Sequence, residues 1–464
     1  MYQIDFNKPS RLYFIGIGGI SMSGLAEILK GAGFTVSGSD STPSNMTRHL
    51  EEAGIPVVIG QRAENITPDL DAVVYTAAIH PDNPELVRSQ ELGIPTLTRA
   101  TVLGQIMKNY DNAITVAGTH GKTTTTSMAS SVLLAAGTDP TITVGGILPA
   151  IGSNIRVGAS GTFIAEACEY TNSFLEFFPR IAIILNVDAD HLDFFKDLDD
   201  IAASFHRYAA LVPSDGLLIM NKDSAKFETV TEGLTCPVTT YAIEDSSADY
   251  LAKDITYDEM GFGSFTCLEK GRELGRYSLG VPGLHNVSNA LAVIALARHL
   301  GIADDFIRQG LSAFHGAKRR FERKGTLGGV TIVDDYAHHP TEVRAILTAA
   351  LRCPHKRLYV AFQPHTYTRT KALLSEFAQA LSLADQVLLA DIYAAREKNT
   401  IGISSADLAD AINAAGGHAL YLPTFGEIED HILTNCVDGD LLITMGAGNI
   451  CNVGDDLLGL PSST

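Results

Sequence analysis

Hydrophobic and polar positions follow the same order three times along this chain. RLYFIGIGGISMSGLAEILKGAG, from Arg11, runs an apolar, β-branched and aromatic segment into glycines, then sets Leu25, Ile28 and Leu29 at helical spacing. NAITVAGTHGKTTTTSMASSVLLAAG, from Asn112, does the same, as does RLYVAFQPHTYTRTKALLSEFAQAL from Arg357. DQVLLADIY and DLLITMGAG then read as two further buried strands. Strands alternating with helices predict parallel sheets with helical crossovers, an α/β fold. Boundaries fall near 108–112 and near 315–322, the second at the polar, basic stretch HGAKRRFERKG. Domains over 1–109, 110–317 and 318–464 are therefore expected, which agrees with roughly 150 residues each in a chain of 464.

Composition narrows the class of function. MYQIDFNKPSRLYFIGIGG does not read as a secretory leader, and no apolar run reaches the roughly 18 residues of a membrane span. The six cysteines are scattered, with no C-x-x-C pair, so neither a disulfide framework nor a thiolate zinc site is expected and a reducing cytoplasm fits. A net charge of −19 argues against nucleic-acid and anionic-membrane partners. Any phosphate handled by so acidic a protein must be met by cations placed locally.

The loop TVAGTHGKTTTTS has Val116 where the usual phosphate loop spells glycine. Gly-Lys-Thr directly after an apolar strand still sets it apart from an ordinary tight turn. Backbone N–H groups at the positive end of a helix attract phosphate, Lys122 reaches terminal phosphates and the Thr123 hydroxyl suits Mg²⁺. GIGGIS, with Asp40 about 20 positions on, fits a nucleotide-diphosphate site and a plain Rossmann-like turn equally. Glu166 and Glu169 end one apolar strand and His191 follows another; Mg²⁺ prefers oxygen, so His191 by itself reads as a surface or capping histidine. His285, Asn286 and Asn289 open a helix, where Asn is open to capping and to ligand contact alike. KRRFE at 318–322 reads first as a solvated basic patch, with a phosphate contact by Arg320 as the sharper alternative. VDDYAHHPTEV packs Asp334, Asp335, Tyr336, His338 and His339 into six positions, and FQPHTYTRTK offers His365, Arg369 and Lys371 to an anion.

In this order, FIGIGGISMSG, GTHGKTTT, EACEYTNSF, DDYAHHPTEV and FQPHTYTRT resemble the Mur ligases, over nearly the whole chain. The resemblance implies ATP-dependent amide formation in peptidoglycan precursor synthesis. It implies three domains: a Rossmann-like UDP-binding domain, a central P-loop ATPase-like domain and a Rossmann-like C-terminal domain. The L-alanine-adding branch, whose partners are ATP, UDP-N-acetylmuramate and L-alanine, is the nearest in these segments. A branch that adds a recycled tripeptide, and a nucleotide-sensing paralogue without ligation, are the alternatives. Carried over, the resemblance implies that Gly118, Thr119, His120, Gly121, Lys122, Thr123 and Thr124 bind ATP phosphates, with Thr123, Glu169 and His191 on Mg²⁺. It implies His285 and Asn286 at the adenine and Arg320 and Asp335 on nucleotide. Gly18, Gly19, Ile20, Ser21, Ser23, Asp40 and Ser173 would hold the UDP-sugar. Tyr336, His338, His365 and Arg369 would surround the amino acid, with His338 as the base. Cys168, Tyr170, Thr171, Ser21, Thr366 and Arg396 depart from the common family spelling.

Overall fold

The computed structural model describes residues 2–76, 78–191, 194–395 and 397–461, so Arg396 lies outside the described residues. Three sheets follow one another along the chain. The first is five-stranded and wholly parallel, with Arg11–Ile15 at its centre between Thr35–Asp40 and Ala72–Tyr75. The central strand ends at Gly16 and feeds the helix Ile20–Gly31, whose inward face carries Leu25, Ile28 and Leu29, as the spacing requires.

The second sheet has ten strands. Asn112–Ala117 lies between Ile181–Ile184 and Thr162–Ala167, parallel to both and buried on both faces, Ile114 and Val116 on one and Ala113, Thr115 and Ala117 on the other, so its carboxyl end opens on a crevice between neighbouring loops. The sheet edges differ from the expectation of parallel sheets. Tyr250–Tyr257, Phe262–Glu269 and Arg272–Pro282 form an antiparallel meander at one edge. Phe262–Glu269 alternates buried and partly buried positions, the mark of a sheet with one wet face. Lys270 and Gly271, both at positive φ, close a two-residue hairpin whose twist matches its strands.

The third sheet has six strands, with Leu441–Met445 parallel to both Val330–Asp335 and Leu358–Phe362. Its edge strand Glu322–Leu327 is antiparallel. KRRFE is not a solvated patch. Arg319 donates to Asp334 at 3.2 Å and to the Gly446 carbonyl at 2.7 Å, and Arg319 and Arg320 both lie over the Tyr336 ring. The stretch is the structured crossing into the third sheet. The six cysteines are unpaired, and among the described residues no helix is long and apolar enough to cross a membrane.

Candidate active site

The phosphate loop joins the central strand of the second sheet to the helix Lys122–Ala135. Gly118 and Gly121 hold φ of +142° and +85°, conformations that side-chain-bearing residues rarely adopt. A Cβ on Gly118 would stand 2.9 Å from that of Leu185, so the loop is pressed against the next strand end. Two of its N–H groups are already committed there: Thr119 donates to the Asn186 carbonyl and His120 to Asn186 Oδ1 at 2.8 Å. The donors the helix turns outward are those of its first turn, Lys122 to Thr124. Of the seven residues Gly118–Thr124 expected at the phosphates, Thr119 and His120 thus spend their N–H groups on Asn186.

Lys122 Nζ folds back over the loop, donating to the carbonyls of Gly118 at 2.5 Å and Thr119 at 3.1 Å and to Glu169 at 2.9 Å. Burial works against its charge, but Glu169, Cys168 and Glu166 together outweigh burial and hold the ammonium well above the usual lysine range. Thr123 donates instead to Glu166, whose second oxygen accepts from Gly145 N–H. His191 Nε2 stands 3.9 Å from Glu169, with its ring tilted over Tyr170 at 4.6 Å. The expected metal set of Thr123, Glu169 and His191 therefore does not share one contact point; Lys122 occupies Glu169 and Glu166 takes the threonine. Threonine and glutamate oxygens around one loop are nonetheless the hard donors that suit Mg²⁺, and the residues fit it.

A cavity of about 410 Å³ opens beside the loop between the second and third sheets. Gly121 and Thr124 line it with His285, Asn286 and Asn289, and across from them Arg320, Asp335, Ala345 and Ile346. Asn286 is not a helix cap: Gly283 holds that position, and the Asn286 amide donates to the Pro282 carbonyl and accepts from Asn289. Burial lowers His285 to about 4, so its imidazole is neutral. Asp335 accepts from the N–H groups of Phe321 and Ala337, both at 2.7 Å, and burial raises its carboxyl to about 7 against the pull of Arg320. It braces the crossing between modules and also lines the cavity.

A second cavity of about 390 Å³ lies on the far side of residues 189–191, lined by Tyr170, Asp190, His191, His365, Thr366 and Arg369. Arg369 is already paired there, donating twice to Asp190 Oδ1 at 2.9 and 3.1 Å. Of the four residues expected around the amino acid, His365 and Arg369 line this cavity. Tyr336 instead stacks on the two arginines, and His338 is partly buried between the Tyr336 carbonyl at 3.0 Å and Glu342. Burial pushes His338 to about 4, which fits poorly with taking a proton from an amine.

Between the cavities His120 bridges Asp188 and Glu342, each at 3.2 Å. His120, Asp188 and His339 are close enough to suggest a metal trio. Both His339 nitrogens are in use, however, one with the Ala189 carbonyl and the other with Thr341 N–H. The group is a hydrogen-bond network. Asn186, Asp188, Glu342 and the Thr123 contact of Glu166 escaped sequence reasoning; the available signal was that residues 186–190 follow the strand paired with Asn112–Ala117.

In the first sheet the glycine turn caps the helix at Gly19, leaving Ile20 and Ser21 at its positive end. Asp40 accepts from Gly18 N–H at 2.9 Å and so holds the turn itself. Ser23 is buried, its hydroxyl donating to the Ile20 carbonyl, and Ser173 donates to the Cys168 carbonyl. Both hydroxyl protons are spent within the chain.

A lysine–carboxylate phosphate loop facing a cavity between two α/β modules, with a third module alongside, defines a multidomain ATP-dependent ligase. Three family models match in succession: "Mur ligase family, catalytic domain" over residues 11–111, "Mur ligase middle domain" over 116–297 and "Mur ligase, glutamate ligase domain" over 319–448. The chain belongs to the Mur ligase family. It is 59% identical over 458 residues to the UDP-N-acetylmuramate–L-alanine ligase of Agathobacter rectalis, covering 99% of this chain and 100% of that protein. It is 58% identical to that of Lachnospira eligens over the same shares. Among solved structures, the UDP-N-acetylmuramate-alanine ligase of Thermotoga maritima superposes with a TM-score of 0.79 at 28% identity, covering 97% of this chain and 98% of that one. A murein peptide ligase of Psychrobacter arcticus gives 0.68 at 28% identity over the same shares.

Proposed function

We propose that this chain joins L-alanine to the lactyl carboxylate of UDP-N-acetylmuramate at the expense of ATP, in the cytoplasm. The observation that carries it is the pair of cavities on either side of one short segment, one holding the phosphate loop and the other Arg369 and His365. The work is divided among domains over 1–109, 110–317 and 318–464, for the UDP-sugar, ATP and amino acid respectively.

A carboxylate does not accept an amine at neutral pH unless activated. The γ-phosphoryl of ATP passes to the carboxylate oxygen, giving an acyl phosphate and ADP. The amine lone pair attacks the acyl carbon, the C–O bond to phosphate breaks, and one amine proton is lost as phosphate leaves. The first-turn N–H groups of Lys122 to Thr124 bind phosphate, and Lys122 neutralises the charge that builds up during transfer. Thr123, Glu169 and His191, with Glu166 beside them, would hold Mg²⁺, which supplies electrostatic stabilisation to the transferring group. Asn286 and the apolar wall of Ala345 and Ile346 receive the base of the nucleotide, with Arg320 closing over it. Arg369 anchors the amino-acid carboxylate. His338, neutral and held by the Tyr336 carbonyl and Glu342, does not act as the base. Closure of the modules excludes water from the acyl phosphate.

Phosphate release measured with ATP, UDP-N-acetylmuramate and a panel of L-alanine, glycine, L-serine and the recycled tripeptide tests the reading. Turnover that needs all three substrates and is fastest with L-alanine is expected. Preference for the tripeptide, or no turnover with any amine, overturns it.

A further inference from the structure

We propose that residues Asp188 to Asp190 form a two-ended positioning strap that couples the phosphate loop to the amino-acid anchor Arg369. The inference rests on the function proposed above. At one end the strap is tied to the loop by three contacts. His120 meets Asp188 Oδ2 at 3.2 Å, Asp188 N–H donates to Thr119 Oγ1 at 2.9 Å, and that hydroxyl donates to the Asp188 carbonyl at 3.3 Å. At the other end Asp190 Oδ1 accepts both bonds from Arg369, in a pair that is about nine-tenths buried on each side. Between them the Ala189 carbonyl accepts from His339, and Asp190 N–H donates to the Asp188 carbonyl at 3.1 Å.

The tight turn removes slack, so the two carboxylates cannot move independently. Asp188 lines the nucleotide cavity and Asp190 the other, so the strap is the partition between them. Thr341, at the start of the helix Pro340–Ala350, donates to Asp188 at 2.8 Å, and Glu342 on the same helix holds the second nitrogen of His120. Both ends of the partition thus grip the third module. A substrate carboxylate arriving at Arg369 competes with Asp190 for the guanidinium, and a buried charge left without its partner is costly. The strap must then shift, and its other end carries His120 and the loop with it. By reciprocity, phosphates that fix the loop favour the Arg369 geometry that accepts the amino acid.

The test is a comparison of initial ligation rates for the full chain, with ATP and L-alanine each varied at saturating Mg²⁺ and UDP-N-acetylmuramate. Asp188→Asn, on the nucleotide side, is expected to raise KM for L-alanine about fivefold or more, and Asp190→Asn to raise KM for ATP comparably. The double variant should fall short of the product of the single effects, since either change already cuts the strap. If each variant alters only the KM of its own neighbouring substrate and the effects multiply, the strap is overturned. A wild-type chain that does not ligate L-alanine would sink the functional reading instead. Melting curves show whether a variant has folded; should one fail, Thr341→Val, which deletes only the hydroxyl on Asp188, must still raise KM for L-alanine, or the proposal falls.

Discussion

Single side chains decide the charge balance at the phosphate loop. Lys122 stands between the loop carbonyls and Glu169, a carboxylate only 2% exposed. Removing the ammonium leaves that carboxylate buried with no cation and the phosphates unneutralised. Lys122→Ala is expected to lower kcat about a hundred- to thousandfold, with UDP-N-acetylmuramate binding unchanged by calorimetry. Near-normal turnover would show that the loop is not the phosphate cradle. Glu169→Ala is expected to abolish the response of the rate to added Mg²⁺; an unaltered Mg²⁺ titration would remove Glu169 from the metal set. The residue types of this site were legible in the sequence because strand, glycine, lysine and threonine lie next to one another. Glu166 shows the limit: it and Glu169 are three positions apart on one strand end, and only the fold assigns Thr123 to one and Lys122 to the other.

At the scale of elements, the first module docks on the second through close backbone approach. The helix Arg99–Met107 presents Gly104 to the turn Tyr170–Glu176, where an added Cβ would stand 1.9 Å from the Glu176 carbonyl oxygen. Gly104→Ala is expected to cost about 1–3 kcal/mol and to raise KM for the UDP-sugar, as thermal melting and rates will show. A variant with unchanged melting would mean that this contact does not hold the modules together. The helix Ile20–Gly31 was readable because burial on one side imposes the period, and the strand Leu441–Met445 because burial on both sides demands a nearly unbroken apolar run. The antiparallel meander from Tyr250 to Pro282 was not, since alternation over eight residues does not specify a partner strand.

Across the whole molecule, the second and third modules meet through charge. His120 is 11% exposed between Asp188 and Glu342, with the His339 ring 4.7 Å away. Burial disfavours its charged form, but the two carboxylates prevail and raise it from 6.5 to about 9. A group raised on folding contributes stability that is complete below its unfolded value, near 6.5, and lost as pH climbs through 9. Each unit is worth about 1.4 kcal/mol. Docking of the third module is therefore expected to loosen between pH 7 and 10, seen as a larger radius in solution scattering. His120→Gln should remove that pH dependence. An identical pH response in the variant would assign the transition to another group.

The sequence by itself determined the α/β class, the order of the modules, the phosphate loop and the family, because each is written in residues close together along the chain. Tertiary structure decided which atoms meet. It gave part of the loop to Asn186, turned Asp40 inward onto Gly18, took Tyr336 and His338 out of the second cavity and set Asp188 and Asp190 on opposite sides of one partition. These pairings join positions up to 222 residues apart, as between His120 and Glu342. Periodicity and local spacing report which face of an element is buried; the partner across an interface is fixed only when whole modules pack.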